Sequence, residues 1–402
     1  MRYVMLAASV VAAVGMALSD QASTEDNAAM AEWNPCYRVR GGLDHCRITF
    51  TQKKQGRVAY LGGSITTMPG WRDLTYDLLK ARFPETEFEF IDAGIGGTDS
   101  TLGAFRLEHD VFKNGPVDLL FLEYAVNDSG EGRNQPGRMR AMEGIIRQAR
   151  RLHPRIDIIV QYFADQGKVA ALNAGHLPDV IHDHEIVVAH YNLPALNLAV
   201  ETTRRLNAGA FTWEDFSRDS CHPLPLGHAL YAECIGTFLD AAWSAPLDAE
   251  AATKEYALPT PLDPLNYENG RFLPVEDATV VSAWTHDAAW MAEKTCNYSG
   301  AVDVLVAEAP GATLTLPFDG RLIGIYAIAG MDAGQLEASI DGGDFATTDL
   351  FDHYCMSFHR PVCHLLRRDL AAGHHVLTLR MGQGRNEKSE GHAARILEFV
   401  AN

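Results

Sequence analysis

Four short stretches of this chain hold residue types that could cooperate in nucleophilic chemistry. The first is Gly62-Gly63-Ser64-Ile65-Thr66, a serine behind two glycines. The second runs from Asp92 to Asp99 and includes Gly94, Gly96 and Gly97. The third is Glu123-Tyr124-Ala125-Val126-Asn127-Asp128, and the fourth is Asp219-Ser220-Cys221-His222-Pro223. Each has a plainer use on its own. A serine after glycines caps helices or turns, glycines supply positive φ in tight turns, and an Asn at a strand end makes an Asx-turn. A loop His with a nearby Asp is equally ordinary. Together they offer a hydroxyl nucleophile, backbone and amide donors for an oxyanion, an imidazole base and a carboxylate to orient it. Acyl transfer needs that set. An Asp three residues before a His can reach its Nδ1 through a turn, and Pro223 stiffens that turn. Asp215, four residues further back, is the alternative partner.

These stretches make sense only if separate elements bring them together. RVAYLG (57–62), FEFIDAG (88–94), VDLLFLEYA (117–125) and IDIIVQYF (156–163) read as buried strands, and LPALNLA (193–199) holds a short fifth. Apolar residues at helical spacing fill 70–83, 100–112 and 138–152, a further helix ends near VVAHYN, and a closing one spans 224–243. Strands alternating with helices predict an α/β fold, a doubly wound three-layer parallel sheet of the flavodoxin-like kind. In such sheets ligands bind beyond the C-terminal strand ends, where the first three stretches fall. The texture changes at 246–277, which is rich in Pro and polar residues and reads as a linker or extended connection. From 278 to 402 short alternating segments are punctuated by Gly, Asp and Pro, with a DGG hairpin signal at 341–343. That pattern predicts a small all-β sandwich or jelly-roll domain.

GGSIT, AGIGGTDS, AVND and DSCHP, in this order, resemble the four blocks of SGNH/GDSL hydrolases, over roughly residues 55–240. The resemblance implies Ser64 as nucleophile with its own N–H in the oxyanion hole. It adds the N–H of Gly97 and the side-chain amide of Asn127, with His222 as base and Asp219 as its partner. Two departures stand out: Gly-Gly-Ser-Ile replaces Gly-Asp-Ser-Leu, and Ala125 stands where many members have Gly. YLGGSITTMPGWR and its companion segments are similar to exported bacterial members linked to polysaccharide degradation. That likeness implies O-deacetylation of a polysaccharide or oligosaccharide. Trp71 and Arg72 follow Ser64 by one to two helical turns, where a Trp can stack on a sugar and an Arg can pair a uronate carboxylate. With Arg106 they are the candidate substrate-binding residues, beside the plainer reading of core or solvated side chains. A lipid or thioester acylhydrolase, a glycosidase and a catalytically silent glycan binder are the competing readings. No cofactor and no metal is expected. His182-Asp183-His184-Glu185 looks like a ligand cluster, but adjacent helix positions diverge, so it reads as a solvated helix face.

The rest of the composition sets boundaries. The 402 residues suffice for two domains, and 47% hydrophobic with 21% charged residues is ordinary for a globular chain. A formal charge of -18 makes nucleic acid and anionic membrane poor partners. Arg2 followed by an apolar run from Tyr3 to Leu18 reads as a signal peptide over 1–19, with Ala17-Leu18-Ser19 as the cleavage region. A secreted or periplasmic location follows, with no membrane span left after cleavage. Residues 20–37 form an N-terminal extension, and the hydrolase domain spans 38–245. Export would permit disulfides, with Cys36–Cys46 and Cys355–Cys363 as candidates among seven cysteines. The Asn297-Tyr298-Ser299 sequon matters only in a host that glycosylates it.

Overall fold

The computed structural model describes residues 30–130, 134–248 and 250–402. The signal-peptide region and its cleavage point lie outside them. Two bodies of secondary structure follow one another, as the pattern of periodicities predicts. The first is built on six strands: β1 (Tyr37–Arg38), β2 (Gln55–Gly62), β3 (Glu87–Gly94), β4 (Leu119–Glu123), β5 (Asp157–Gln161) and β6 (Ala195–Leu196). They lie in the order β1-β6-β5-β4-β2-β3. All neighbours are parallel except β1, a two-residue antiparallel edge. β4 and β5 are buried at every position and are apolar except at their ends, as strands covered on both faces must be. β3, at the edge, alternates charged and aromatic residues as EFEF and is largely half-exposed.

The chain runs from β2 outward to β3 and then back across β2 to β4. Right-handed crossovers in opposite directions put their helices on opposite faces. The Trp71–Arg82 helix packs with Pro225–Ala242 on one face; Ser100–Leu107, Gln135–Leu152 and Asp179–His190 pack side by side on the other. The reversal at β2 is the topological switch point, where a crevice opens beyond the strand ends. Ser64 sits immediately past that strand.

Eleven further strands form the second body: β7 (Arg271–Leu273), β8 (Thr279–Ser282), β9 (Thr285–Trp290), β10 (Val302–Ala307), β11 (Thr313–Gly320), β12 (Ile323–Ala329), β13 (Gln335–Ile340), β14 (Ala346–Asp349), β15 (Arg360–Arg367), β16 (Gly373–Met381) and β17 (Ala394–Ala401). One sheet runs β15-β12-β17-β10-β9 with β7 on β17; the other runs β14-β13-β16-β11-β8. All of these pairings are antiparallel. Leu314, Leu336 and Leu379 of one sheet share a core with Ile325, Ile396 and Phe399 of the other. The DGG signal is a true turn: Asp341 and Gly342 take φ of 53° and 75° between β13 and β14.

Residues 246–270 are extended, yet they are fastened to the first domain rather than loose. The Glu143 carboxylate accepts from Leu262 N at 2.6 Å and Asp263 N at 3.0 Å. Tyr267 is buried, stacks on Phe105 with centroids 5.6 Å apart, and its carbonyl accepts from Gln148 Nε2 at 2.7 Å. Leu322 and Val400 of the β domain join the core of the first domain, so the two bodies pack through apolar contact. Among the described residues no disulfide joins the seven cysteines. The two candidate pairings are therefore corrected. Cys36 shares a side-chain hydrogen bond with Cys234 of the last helix, and the Cys46 thiol donates to the Leu43 carbonyl at 3.3 Å.

Candidate active site

Sheet register brings the first three stretches to one row. Gly62 is level with Gly94 on one side and with Glu123 on the other. Ser64, Gly97 and Asn127 each lie within a turn of that row. The glycines here are steric requirements. A Cβ at Gly63 would come 2.3 Å from Asn127 Oδ1, and one at Gly62 would come 2.7 Å from the Glu123 carbonyl. Gly97 has φ of 72°, which an L side chain rarely adopts. The 95–99 loop is tied back by Ile95 N donating to Gly62 O at 3.0 Å and by Thr98 Oγ1 donating to Ile95 O at 2.7 Å.

The fourth stretch closes on the same place. Ser64 Oγ lies 2.7 Å from His222 Nε2, and His222 Nδ1 lies 2.9 and 3.1 Å from the two Asp219 oxygens. With the serine hydroxyl donating to Nε2, the ring proton belongs on Nδ1, facing the carboxylate. Asp219 also accepts from the backbone N–H groups of Cys221 and His222 at 3.0 and 2.8 Å. Burial raises its pKa, but these two N–H groups and the imidazole outweigh burial and hold it below the ordinary value. The loop itself is pinned. Trp213 Nε1 donates to Asp219 O at 2.8 Å, and Ser217 Oγ donates to His222 O at 2.8 Å. Asp215 turns away to accept from Thr212 N at 2.9 Å, capping the Trp213–Phe216 helix. His222 and Asp219 are partly open to solvent, with side chains 24% and 45% exposed.

The three candidate substrate-binding residues are placed differently, and here the expectation is corrected. Trp71 is 1% exposed and donates to Ile65 O at 3.0 Å, packed among Tyr60, Phe121 and Phe163. It lies on the buried side of its helix, so no sugar can stack on it. Arg72 is buried and pairs with Asp92 at 3.0 Å. Arg106 is wholly buried beneath the site. Its guanidinium donates to Gly62 O at 3.2 Å, Ala93 O at 2.7 Å and Tyr124 Oη at 2.8 Å, and pairs with Asp110 at 2.7 Å. One cation thus clips together the ends of β2, β3 and β4.

Other residues that matter here escaped sequence reasoning. His184 is fully buried, with Nε2 2.9 Å from Asp128 Oδ2, and Asp128 accepts from Ser100 N at 3.0 Å and Ser100 Oγ at 2.6 Å. Asp183 is buried against Arg138 and Gln135, while His182 faces solvent. The expected solvated face is therefore half interior, because its helix is wedged between the Gln135–Leu152 helix and the loop after β4. Asn297, from the β domain, lies over the 95–99 loop: a Cβ at Gly96 would come 2.1 Å from its Oδ1 and one at Gly97 would come 2.9 Å from its Nδ2. Arg360 reaches the same place, paired with Asp352. The sequon around Asn297 was the only sequence signal, and it points to a different chemistry. Cys221 Sγ lies 3.6 Å from His222 Nδ1. Burial, then the charge of Asp219, push this thiol up to about 11, so it is no competing nucleophile at neutral pH.

Residues 60–230 match the family model of the GDSL-like lipase/acylhydrolase family. That match runs from β2 into the Pro225–Ala242 helix and takes in all four of the stretches above. Two crystal structures of a two-domain esterase active on acetylated mannans share the whole architecture. One has a TM-score of 0.72 and the other, co-crystallised with mannopentaose, 0.71. Each is 22% identical, over 90% of this chain and 96% or 95% of theirs. At that identity the likeness establishes the fold: a parallel-sheet α/β domain followed by antiparallel β sheets. Comparison with curated proteins gives no match. Among the described residues no helix is long and apolar enough to cross a membrane.

Proposed function

We propose that this chain is a serine esterase that removes short acyl groups, chiefly O-acetyl, from a carbohydrate through an acyl-enzyme. The 2.7 Å contact between Ser64 Oγ and His222 Nε2, with Asp219 behind Nδ1, carries the proposal. Ser64 attacks the ester carbonyl while Nε2 takes its proton; Asp219, held anionic by its two backbone donors, stabilises the imidazolium. The N–H groups of Ser64 and Gly97 and the Asn127 amide receive the oxyanion. Imidazolium then protonates the leaving alcohol, and water repeats the sequence to release the acid.

Support for a carbohydrate comes from the setting. The base is partly exposed, so a substituent on a bulky polymer can reach it. A cleft of about 400 Å³ begins at Gly97 and continues between the domains past Arg138, Asp352, Arg360 and His364. Its lining is mostly polar, which suits hydroxyl groups better than an acyl chain. The fold relatives act on acetylated mannans. Export to the periplasm or medium belongs to the same proposal, because such polymers are met outside the cytoplasm.

Acetate release from a panel of acetylated mannans and xylans, with Ser64→Ala as the blank, tests this. Wild type should release acetate, and the variant should lose at least about three orders of magnitude in turnover with an unchanged Tm. Equal release by the two proteins would end the serine mechanism. Release only from long-chain fatty esters would end the carbohydrate assignment.

A further inference from the structure

The loop that carries the base holds a second set of donors. The Asp219 carboxylate, Cys221 Sγ and a His222 ring nitrogen all lie within 4.8 Å of one another. The type of donor and the spacing both matter. A thiolate, an imidazole and a carboxylate are the ligands a zinc-like cation takes in sites that keep one position open. Metal–sulfur and metal–nitrogen bonds of about 2.3 and about 2.05 Å, at a tetrahedral angle, separate the two ligand atoms by roughly 3.5–3.6 Å. The observed separation of Cys221 Sγ and His222 Nδ1 is 3.6 Å. Nitrogen and oxygen ligands would stand about 3.4 Å apart by the same construction. Asp219 now lies at 2.9 Å, so its carboxylate need only draw back by a fraction of an ångström. The loop is braced on its far side by Trp213 and Ser217, which favours keeping these donors in place. Both His222 and Cys221 are partly accessible.

We propose that Asp219, Cys221 and His222 form an inhibitory site for a thiophilic divalent cation of the zinc type. The inhibitory consequence rests on the esterase reading above; the binding itself does not. The proton balance explains the inhibition. In the active arrangement Nδ1 carries the ring proton and Nε2 offers its lone pair to the serine. The cation takes the Nδ1 lone pair, the ring proton passes through solvent to Nε2, and the Cys221 thiol releases its proton to solvent. Thiolate and carboxylate then neutralise the two positive charges. A protonated Nε2 cannot accept from Ser64 Oγ, so the nucleophile loses its base. The cation is here an inhibitor, not a cofactor, and its removal restores the original tautomer.

Two measurements on the full chain test this. In the first, p-nitrophenyl acetate hydrolysis is followed in buffers of defined free Zn²⁺ and then with excess EDTA. Activity should fall to saturation and return with EDTA. In Cys221→Ser, turnover in EDTA should stay within about twofold, while the Zn²⁺ concentration for half inhibition rises at least about tenfold. Inhibition of the serine variant at the wild-type Zn²⁺ concentration would overturn the proposal. The second measurement is a Co²⁺ titration read by its thiolate-to-metal charge-transfer band, expected at one equivalent in wild type and absent in Cys221→Ser. It reads binding whether or not the protein hydrolyses esters, so failure of the esterase reading stays distinguishable. A wild-type protein without that band overturns the site, even if Cys221→Ser does not fold.

Discussion

At the scale of single residues, His222 and Asp219 are held by different means. His222 is fixed by its contacts with Ser64 and Asp219, whereas Asp219 is fixed by backbone N–H groups from its own turn. Asp219→Asn keeps the shape of the turn but removes the charge that stabilises an imidazolium, and it allows the wrong tautomer. Turnover should fall by roughly 10²–10⁴, with little change in KM. Steady-state kinetics on p-nitrophenyl acetate checks this, and a loss confined to KM would show that Asp219 serves binding instead. A second carboxylate acts on stability. Burial, only partly offset by Lys168 and the Val126 N–H, lifts Glu123 to about 8 from an ordinary value of 4.5. Between those values the unfolded chain has already released the proton that folded Glu123 keeps. Stability therefore falls as pH rises across that window and levels off above it. Glu123→Gln should remove this slope, becoming the more stable protein toward pH 8 by a few kcal/mol. Urea unfolding of both proteins at pH 5 and pH 8 decides it: curves that stay parallel would mean Glu123 titrates normally.

At the scale of elements, the site depends on how loops after different strands are joined. Asp128 follows Asn127 directly and holds the first turn of the Ser100–Leu107 helix, just beyond the Gly97 loop. His184 closes this contact from behind. Asp128→Ala would leave His184 and the Ser100 donors without their buried partner. We expect a cost of about 3–5 kcal/mol and a lower turnover in the protein that remains folded, since the Gly97 and Asn127 loops lose their tie. Urea unfolding and turnover measured on one preparation check both. Wild-type turnover despite lost stability would show that the tie matters only for folding. This network also marks where sequence reasoning reaches its limit. Strand and helix existence was legible because period and apolar runs are local. The four blocks were legible because each pairs a reactive residue with turn-forming neighbours. Burial of His184 was not, since a helix sequence does not tell which neighbour will wedge against it. Trp71 and Arg72 misled for a related reason. They follow Ser64 by one to two helical turns, but only the packed structure shows that both are buried.

At the scale of the molecule, the β domain is joined to the catalytic domain in two ways. Apolar contact through Leu322 and Val400 extends the first core, and the 246–270 segment is fastened across the Gln135–Leu152 helix. A third contact reaches the site itself, where Asn297 covers Gly96 and Gly97. The 95–99 loop is tied at Ile95 and Thr98, but Gly96 and Gly97 carry no side chain of their own to restrain them. Asn297 lies against both, where it limits how far the Gly97 N–H can wander. Asn297 has φ of 67°, so Asn297→Gly removes the side chain without straining the backbone and leaves both cores untouched; Tm should shift by less than about 2 °C. Turnover should nevertheless fall by roughly tenfold, because an oxyanion donor that must be ordered during the reaction gives back part of its stabilisation. KM for a small ester should barely move, as p-nitrophenyl acetate is too short to reach the cleft between the domains. Unchanged turnover would make the β domain a passenger as far as the chemistry is concerned. A large rise in KM for acetylated oligosaccharides with unchanged turnover on the small ester would instead assign Asn297 to the polymer.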